Sequence, residues 1–192
     1  MILLRHGQSE FNLHFTATKR DPGIPDPKLT DLGLQQAEAA VLALAGERIT
    51  RIIASPYTRA LQTAAPIARQ RGLPILVNPT VRERYAFSCD IGSPCTELAI
   101  AFPGLDFAHI DDVWWPAIEE PDHGIEARAA LFRAEMAALP DWDETLVVSH
   151  WGFILAMTGE RVMNGEWRRC DPTAPAPEAI VWRQPHPSAV KP

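Results

Sequence analysis

Arg5-His6-Gly7 follows the apolar run Ile2-Leu3-Leu4, and Val147-Val148-Ser149-His150-Trp151-Gly152 repeats that grammar far downstream. A short apolar run that stops at a histidine and a glycine reads as a buried strand delivering side chains to its carboxyl end. In open α/β sheets, ligands bind at that end. Two such strands, as neighbours in one parallel sheet, would bring His6 and His150 together. A third apolar segment, Arg51-Ile52-Ile53-Ala54, ends in Ser55-Pro56-Tyr57-Thr58-Arg59. Ser55 can cap the following helix and Pro56 suits its first turn, so Arg59 sits about one turn in and points back over the sheet edge. Each motif alone is weak, since a His beside an Arg is commonly an ordinary satisfied pair. Together, three strand ends offer nucleophilic imidazoles and dispersed positive charge to one spot, the components phosphoryl chemistry needs.

With these residues in order, the chain resembles the histidine phosphatase superfamily, also called the phosphoglycerate mutase-like family. The blocks that carry the resemblance are Arg5-His6-Gly7-Gln8-Ser9-Glu10-Phe11-Asn12, Leu29-Thr30-Asp31-Leu32-Gly33, Ser55 to Ala64, Arg82-Glu83 and Ser149-His150-Trp151-Gly152. They span residues 1 to about 160. The resemblance implies a three-layer α/β/α sandwich with a mostly parallel central sheet, and a phosphomonoester hydrolase that works through a phosphohistidine on His6.

It also implies roles. Neutral His6 would be the in-line nucleophile, its pKa lowered from about 6.5 by Arg5 and Arg59, because neighbouring cations disfavour imidazolium. Arg5, Arg59 and His150 would share the phosphoryl oxygens, with Asn12 as an amide ligand to the same group. Glu83 fits the proton donor. An ordinary salt bridge with Arg82 or Arg84 is the other reading of Glu83, and Asp90 and Glu97 are reserve acids. The segment after Glu83, Tyr85-Ala86-Phe87-Ser88-Cys89-Asp90, departs from the family's commoner Gly-rich continuation.

Composition fits one enzyme domain over residues 1–192, with 46% hydrophobic residues and a formal net charge of −6. That charge argues against a nucleic-acid or anionic-membrane surface, while leaving room for a local basic pocket. No run approaches the roughly 18 apolar residues of a membrane span. A catalytic residue at position 6 leaves no room for a removable leader, so a cytoplasmic location is expected. Cys89, Cys95 and Cys170 are too few and too irregular for a disulfide framework or a zinc knuckle, and free thiols are expected. No metal-ligand spacing is present, and two arginines beside the histidines would repel a cation. No cofactor is implied. The expected partner is a small phosphorylated metabolite or a phosphoprotein, with the chain a monomer or homodimer.

Strand and helix patterns alternate. A helix is expected from Thr30 to about Gly46 with Leu34, Ala37, Val41 and Leu44 on its apolar face, and another from Pro56 to Gln70. A short strand Ile75-Leu76-Val77 follows. Residues of about 85–121 read as a cap-like insertion, less regular from Pro94, over the active-site end of the sheet. A helix over Ile125 to Leu139, a strand over Thr145 to Ser149 and a helix from Gly152 to about Gly159 complete the body. From about 171 the chain becomes a Pro-rich tail, in which Ala179 to Trp182 could add an edge strand and Gln184 to Pro192 should fray.

The cap is aromatic, and Tyr85, Trp114, Trp115 and, outside it, Trp151 are candidates for the substrate pocket. Core filling is the competing role for each ring. The interval between Glu83 and His150 is short beside the longer insertion of the family's mutases, which favours a phosphatase over a phosphoglycerate mutase-type phosphotransferase. A phosphate-binding scaffold without catalysis and a zinc hydrolase are the remaining alternatives. The first is disfavoured because His6, Arg5, Arg59 and His150 are all present.

Overall fold

The computed structural model describes residues 1–182. Five strands, β1 (Ile2–Arg5), β2 (Arg51–Ala54), β3 (Ile75–Val77), β4 (Thr145–Ser149) and β5 (Trp167–Arg169), form one sheet in the order β3-β2-β4-β1-β5. The first four run parallel and β5 lies antiparallel beside β1. The fold is α/β with a mostly parallel sheet covered on both faces.

Alternation along the strands explains both layers. Ile2, Leu4, Ile52, Ala54, Leu146 and Val148 point into one core, which α2 (Asp31–Ala43) and α3 (Thr58–Arg71) cover. Met1, Leu3, Ile53 and Val147 point into the other, closed by α5 (Asp122–Ala137) and α6 (Trp151–Thr158). Two further helices, α1 (Glu10–Thr18) and α4 (Cys95–Ala101), lie in the connections.

Several elements differ from the sequence expectation. In α2, Ala37 and Ala40 carry the buried face, while Leu34 stays 46% exposed. Ser55 does not cap α3; the helix starts at Thr58, whose backbone N–H donates to Asp26 Oδ1 at 2.9 Å. A cap brought by the fold from a distant loop leaves no trace in local sequence. The antiparallel edge strand is Trp167–Arg169 rather than Ala179 to Trp182, which form no strand. Gln184 to Pro192 lie outside the described residues.

Candidate active site

Register sets the centre of the site. Arg5 pairs with Ser149 across β1 and β4, and His6 N–H donates to the Ser149 carbonyl at 3.0 Å. The next residue on each strand is a histidine, so the rings of His6 and His150 stand 5.0 Å apart at the carboxyl edge. Arg59 arrives from the first turn of α3. Thr63, one turn on, accepts from Gly7 N–H at 3.1 Å and donates to the Arg59 carbonyl at 2.8 Å, tying that helix to the histidine loop.

His6 is buried, and its Nδ1 lies 2.6 Å from the Gly7 carbonyl oxygen. A carbonyl only accepts, so Nδ1 carries the proton and the neutral ring keeps its lone pair on Nε2. Burial holds the His6 pKa well below its ordinary value, with Arg59 and then Arg5 adding to it. The sequence reading put the arginines first; desolvation is the larger cause. His150 is pushed down the same way, by burial first and then Arg59, His6 and Arg5. Neither of its ring nitrogens has a hydrogen-bond partner among the described residues.

The cations are held from behind. Arg5 Nη1 donates to the Val162 carbonyl at 2.8 Å, and burial lowers its pKa to about 10, so it remains charged at neutral pH. Arg59 Nη1 donates to the Cys89 carbonyl at 2.8 Å, with Asp90 3.5 Å from Nη2 and the Tyr57 ring 4.2 Å beneath the guanidinium. Burial opposes the charge on Arg59, but the acidic groups around it, Cys89, Asp90, Tyr57 and Asp26 together, raise its pKa. Of the two nearest, Cys89 and Asp90, only Asp90 can carry charge at neutral pH. Asp90 itself is driven up to about 6 by burial, against the pull of Arg59. Its Oδ2 accepts from the backbone N–H groups of Ala86 and Phe87, each at 3.0 Å.

Asn12 caps this end through α1. Its Oδ1 accepts from Ser9 N–H, the Ser9 hydroxyl and Asn164 Nδ2, at 3.1, 3.0 and 3.1 Å. The oxygen is thereby engaged, and the amide's donor end is the part left for a ligand.

Glu83 stands at the start of α6. Its Oε1 accepts from Gly152 N–H at 2.9 Å and from Arg84 N–H at 2.8 Å. A Cβ at residue 152 would collide with that same oxygen, so any larger residue there must displace the Glu83 carboxyl group from this seat. Behind Glu83, Arg128 donates to the carbonyls of Thr80 and Arg82, both at 2.8 Å, and to that of Glu83 at 3.3 Å. Arg128 also pairs with Glu120 at 2.6 Å, both nearly buried. Breaking such a pair from one side costs about 3–5 kcal/mol, which makes it a rigid seat for the Glu83 loop.

Arg5, His6, Asn12, Arg59, Glu83 and Asp90 line a cavity of about 430 Å³, with an aromatic side described below, while His150 is fully buried beside His6 and does not line it. The geometry combines a neutral imidazole with a free lone pair, two fixed guanidinium groups and a carboxyl group, an arrangement suited to phosphoryl transfer. Trp151 lines the cavity. Tyr85, Trp114 and Trp115 do not: Trp114 packs edge-on against Tyr57 at 4.6 Å and joins the core on the α3 side, with Trp115 against it. Glu97 lies on α4 and does not line it either. Sequence reasoning did not single out Phe11, Phe15 or Phe87 for the pocket, although Phe87 belongs to the aromatic cap segment. The spacing of Phe11 and Phe15 by one helical turn was the available signal for two of them. Among the described residues, no group of three or more His, Cys, Asp or Glu could hold a metal ion. All three cysteines are free and buried.

Comparison with known sequences decides the family, since the profile of the histidine phosphatase superfamily (branch 1) matches residues 1–174. The chain belongs to this superfamily. A glucosyl-3-phosphoglycerate phosphatase of Mycolicibacterium vanbaalenii is 32% identical over 171 residues, covering 82% of this chain and 72% of that protein. A probable phosphoglycerate mutase of Photorhabdus laumondii is 40% identical over 85 residues, covering 44% of this chain and 38% of that one. Among solved structures, a mycobacterial glucosyl-3-phosphoglycerate phosphatase in complex with VO3 superposes with a TM-score of 0.61 at 27% identity, covering 87% of this chain and 90% of that one. This member of the histidine phosphatase superfamily is a phosphatase, and a phosphohistidine mechanism is typical of its family. No helix among the described residues is long and apolar enough to cross a membrane.

Proposed function

We propose that this chain hydrolyses a small phosphomonoester in two steps, with His6 as nucleophile and Glu83 as proton donor. Phosphate is bound between Arg5, Arg59, His150 and the Asn12 amide. The His6 Nε2 lone pair attacks phosphorus, the bond to the alcohol oxygen breaks, and Glu83 protonates that oxygen as it leaves. Water then attacks the phosphohistidine, Glu83 takes up its proton, and inorganic phosphate departs with His6 neutral again. The guanidinium groups stabilise the equatorial oxygens in both transition states.

One observation carries the reading. The Gly7 carbonyl fixes the His6 tautomer while burial and two arginines keep the ring neutral, so a lone pair is available at working pH. The relatives named for phosphatase activity on a phosphorylated metabolite support the same substrate class. The test is hydrolysis of p-nitrophenyl phosphate in chelator by wild type and His6→Ala. Chelator-resistant release that the substitution removes is expected; substantial activity in folded His6→Ala would take the nucleophile role from His6.

A further inference from the structure

One end of the cavity is accounted for by phosphate; the other is aromatic. Phe11 and Phe15 lie one turn apart on α1, their rings 5.2 Å between centroids and 14° between planes. Phe87 closes on both from the loop after Glu83, 5.7 Å from Phe11 and edge-on to Phe15 at 5.2 Å. Phe11 is buried at 6% exposure, none of the three joins either of the two core clusters, and Phe87 keeps 43% of its surface exposed. An apolar triad outside both cores, opening onto the same cavity as the arginines, is placed to meet the organic half of a phosphoester. A further ring can join such a group edge-on or offset.

Charge at that end points the same way. Among the described residues, the cations lining the cavity are Arg5, Arg59 and Arg84. Arg84 is engaged at all three guanidinium nitrogens: Nε donates to the Glu120 carbonyl at 2.9 Å, Nη2 reaches Glu119 at 3.0 Å and Nη1 reaches Asp122 at 2.5 Å. Glu83 and Asp90 line the same space. Among the described residues, a leaving group with its own carboxylate would face two acids and no unengaged arginine beyond the pair facing the phosphate.

From these rings and charges we infer that the alcohol half of the substrate carries an uncharged aromatic or heteroaromatic ring, and that Phe11, Phe15 and Phe87 form its binding wall. This rests on the phosphatase reading above. It also separates the chain from relatives named for a glycerate-bearing substrate.

The test compares kcat/KM for 2-phenylethyl phosphate, glycerol 1-phosphate and 3-phosphoglycerate, all primary alkyl esters, with p-nitrophenyl phosphate reporting the chemistry. The phenylethyl ester is expected to lead each of the others by about tenfold or more, the scale set by burying one ring. Phe15→Ala and Phe87→Ala should each shrink that ratio, chiefly through KM of the phenylethyl ester. Equal or better turnover of 3-phosphoglycerate, or a ratio untouched by both substitutions, overturns the inference while the phosphatase reading stands. No release from any compound, p-nitrophenyl phosphate included, removes both.

Discussion

The two halves of the cavity are held by different physics. On the strand side, His6 and His150 take their positions from backbone register between β1 and β4, and Arg59 from the helix that follows β2. On the loop side, Glu83 and Phe87 depend on side chains: Gly152 N–H and Arg128 seat the Glu83 loop, and the Asp90 carboxylate holds the Ala86 and Phe87 amides. Sheet register tolerates no slip, because one residue of shift turns every side chain to the other face. A loop tied by carboxylates can be re-cut without disturbing the sheet. On the proposed reading the strand side holds the nucleophile and the phosphate ligands, while the loop side adds the acid Glu83 and, through Phe87, part of the wall that would meet the substrate.

The largest loss should come from the strand side. Arg59→Ala removes the guanidinium proposed to hold the phosphoryl oxygens and should lower kcat by about 10²- to 10³-fold. Arg59→Lys should recover little of it, since an ammonium cannot reproduce the planar fork. Steady-state kinetics with a correctly folded variant checks both, and full activity in the lysine variant would remove Arg59 from the phosphate site.

A smaller and more selective loss should follow on the loop side. Glu83→Gln should reduce turnover of an alkyl phosphate about 10²-fold, yet affect p-nitrophenyl phosphate far less, because nitrophenolate leaves without a proton. Gly152→Ala keeps the carboxyl group but pushes it from its seat, and should give a weaker version of the same pattern. Equal losses on both substrates would move the acid elsewhere, with Asp90 next in line.

The same contrast governs what the sequence reveals. Apolar runs followed by a histidine and, within two residues, a glycine mark β1 and β4 because a buried parallel strand needs a continuous apolar stretch, and the histidines mark its exit. Phe87 and Asp90 carry no such mark; Asp90 holds the Ala86 and Phe87 amides locally, and it meets Arg59 only because the fold brings that helix to it. Trp114 and Trp115 misled for the complementary reason: an aromatic pair in an irregular segment fits a pocket wall as well as a core, and Trp114 fills the space beside Tyr57. β5 is short and half-polar, Trp167-Arg168-Arg169, as an edge strand can be, so its pattern is weak.

The smallest effect is on stability. His6 and His150 are buried with depressed pKa values. As pH falls through about 6.5 the unfolded chain takes up protons that the folded chain refuses, so stability is lost in that direction. Asp90 acts oppositely: raised to about 6 in the folded state, it binds its proton there first and offsets part of the loss between about pH 6 and 4. Urea unfolding from pH 7.5 to 5.5 should show declining stability, and His150→Gln should flatten the decline. An unchanged slope would contradict the buried-neutral assignment.

The central claim is that phosphate passes through His6 Nε2. Acid-labile, base-stable phosphoenzyme should be captured by rapid quench with a fast aryl phosphate, located by peptide mass spectrometry, for wild type and His6→Ala. One phosphoryl group per chain on His6 in wild type, and none in the variant, is the expected result. Steady hydrolysis with no phosphohistidine at any quench time, or an equal rate in folded His6→Ala, would contradict it.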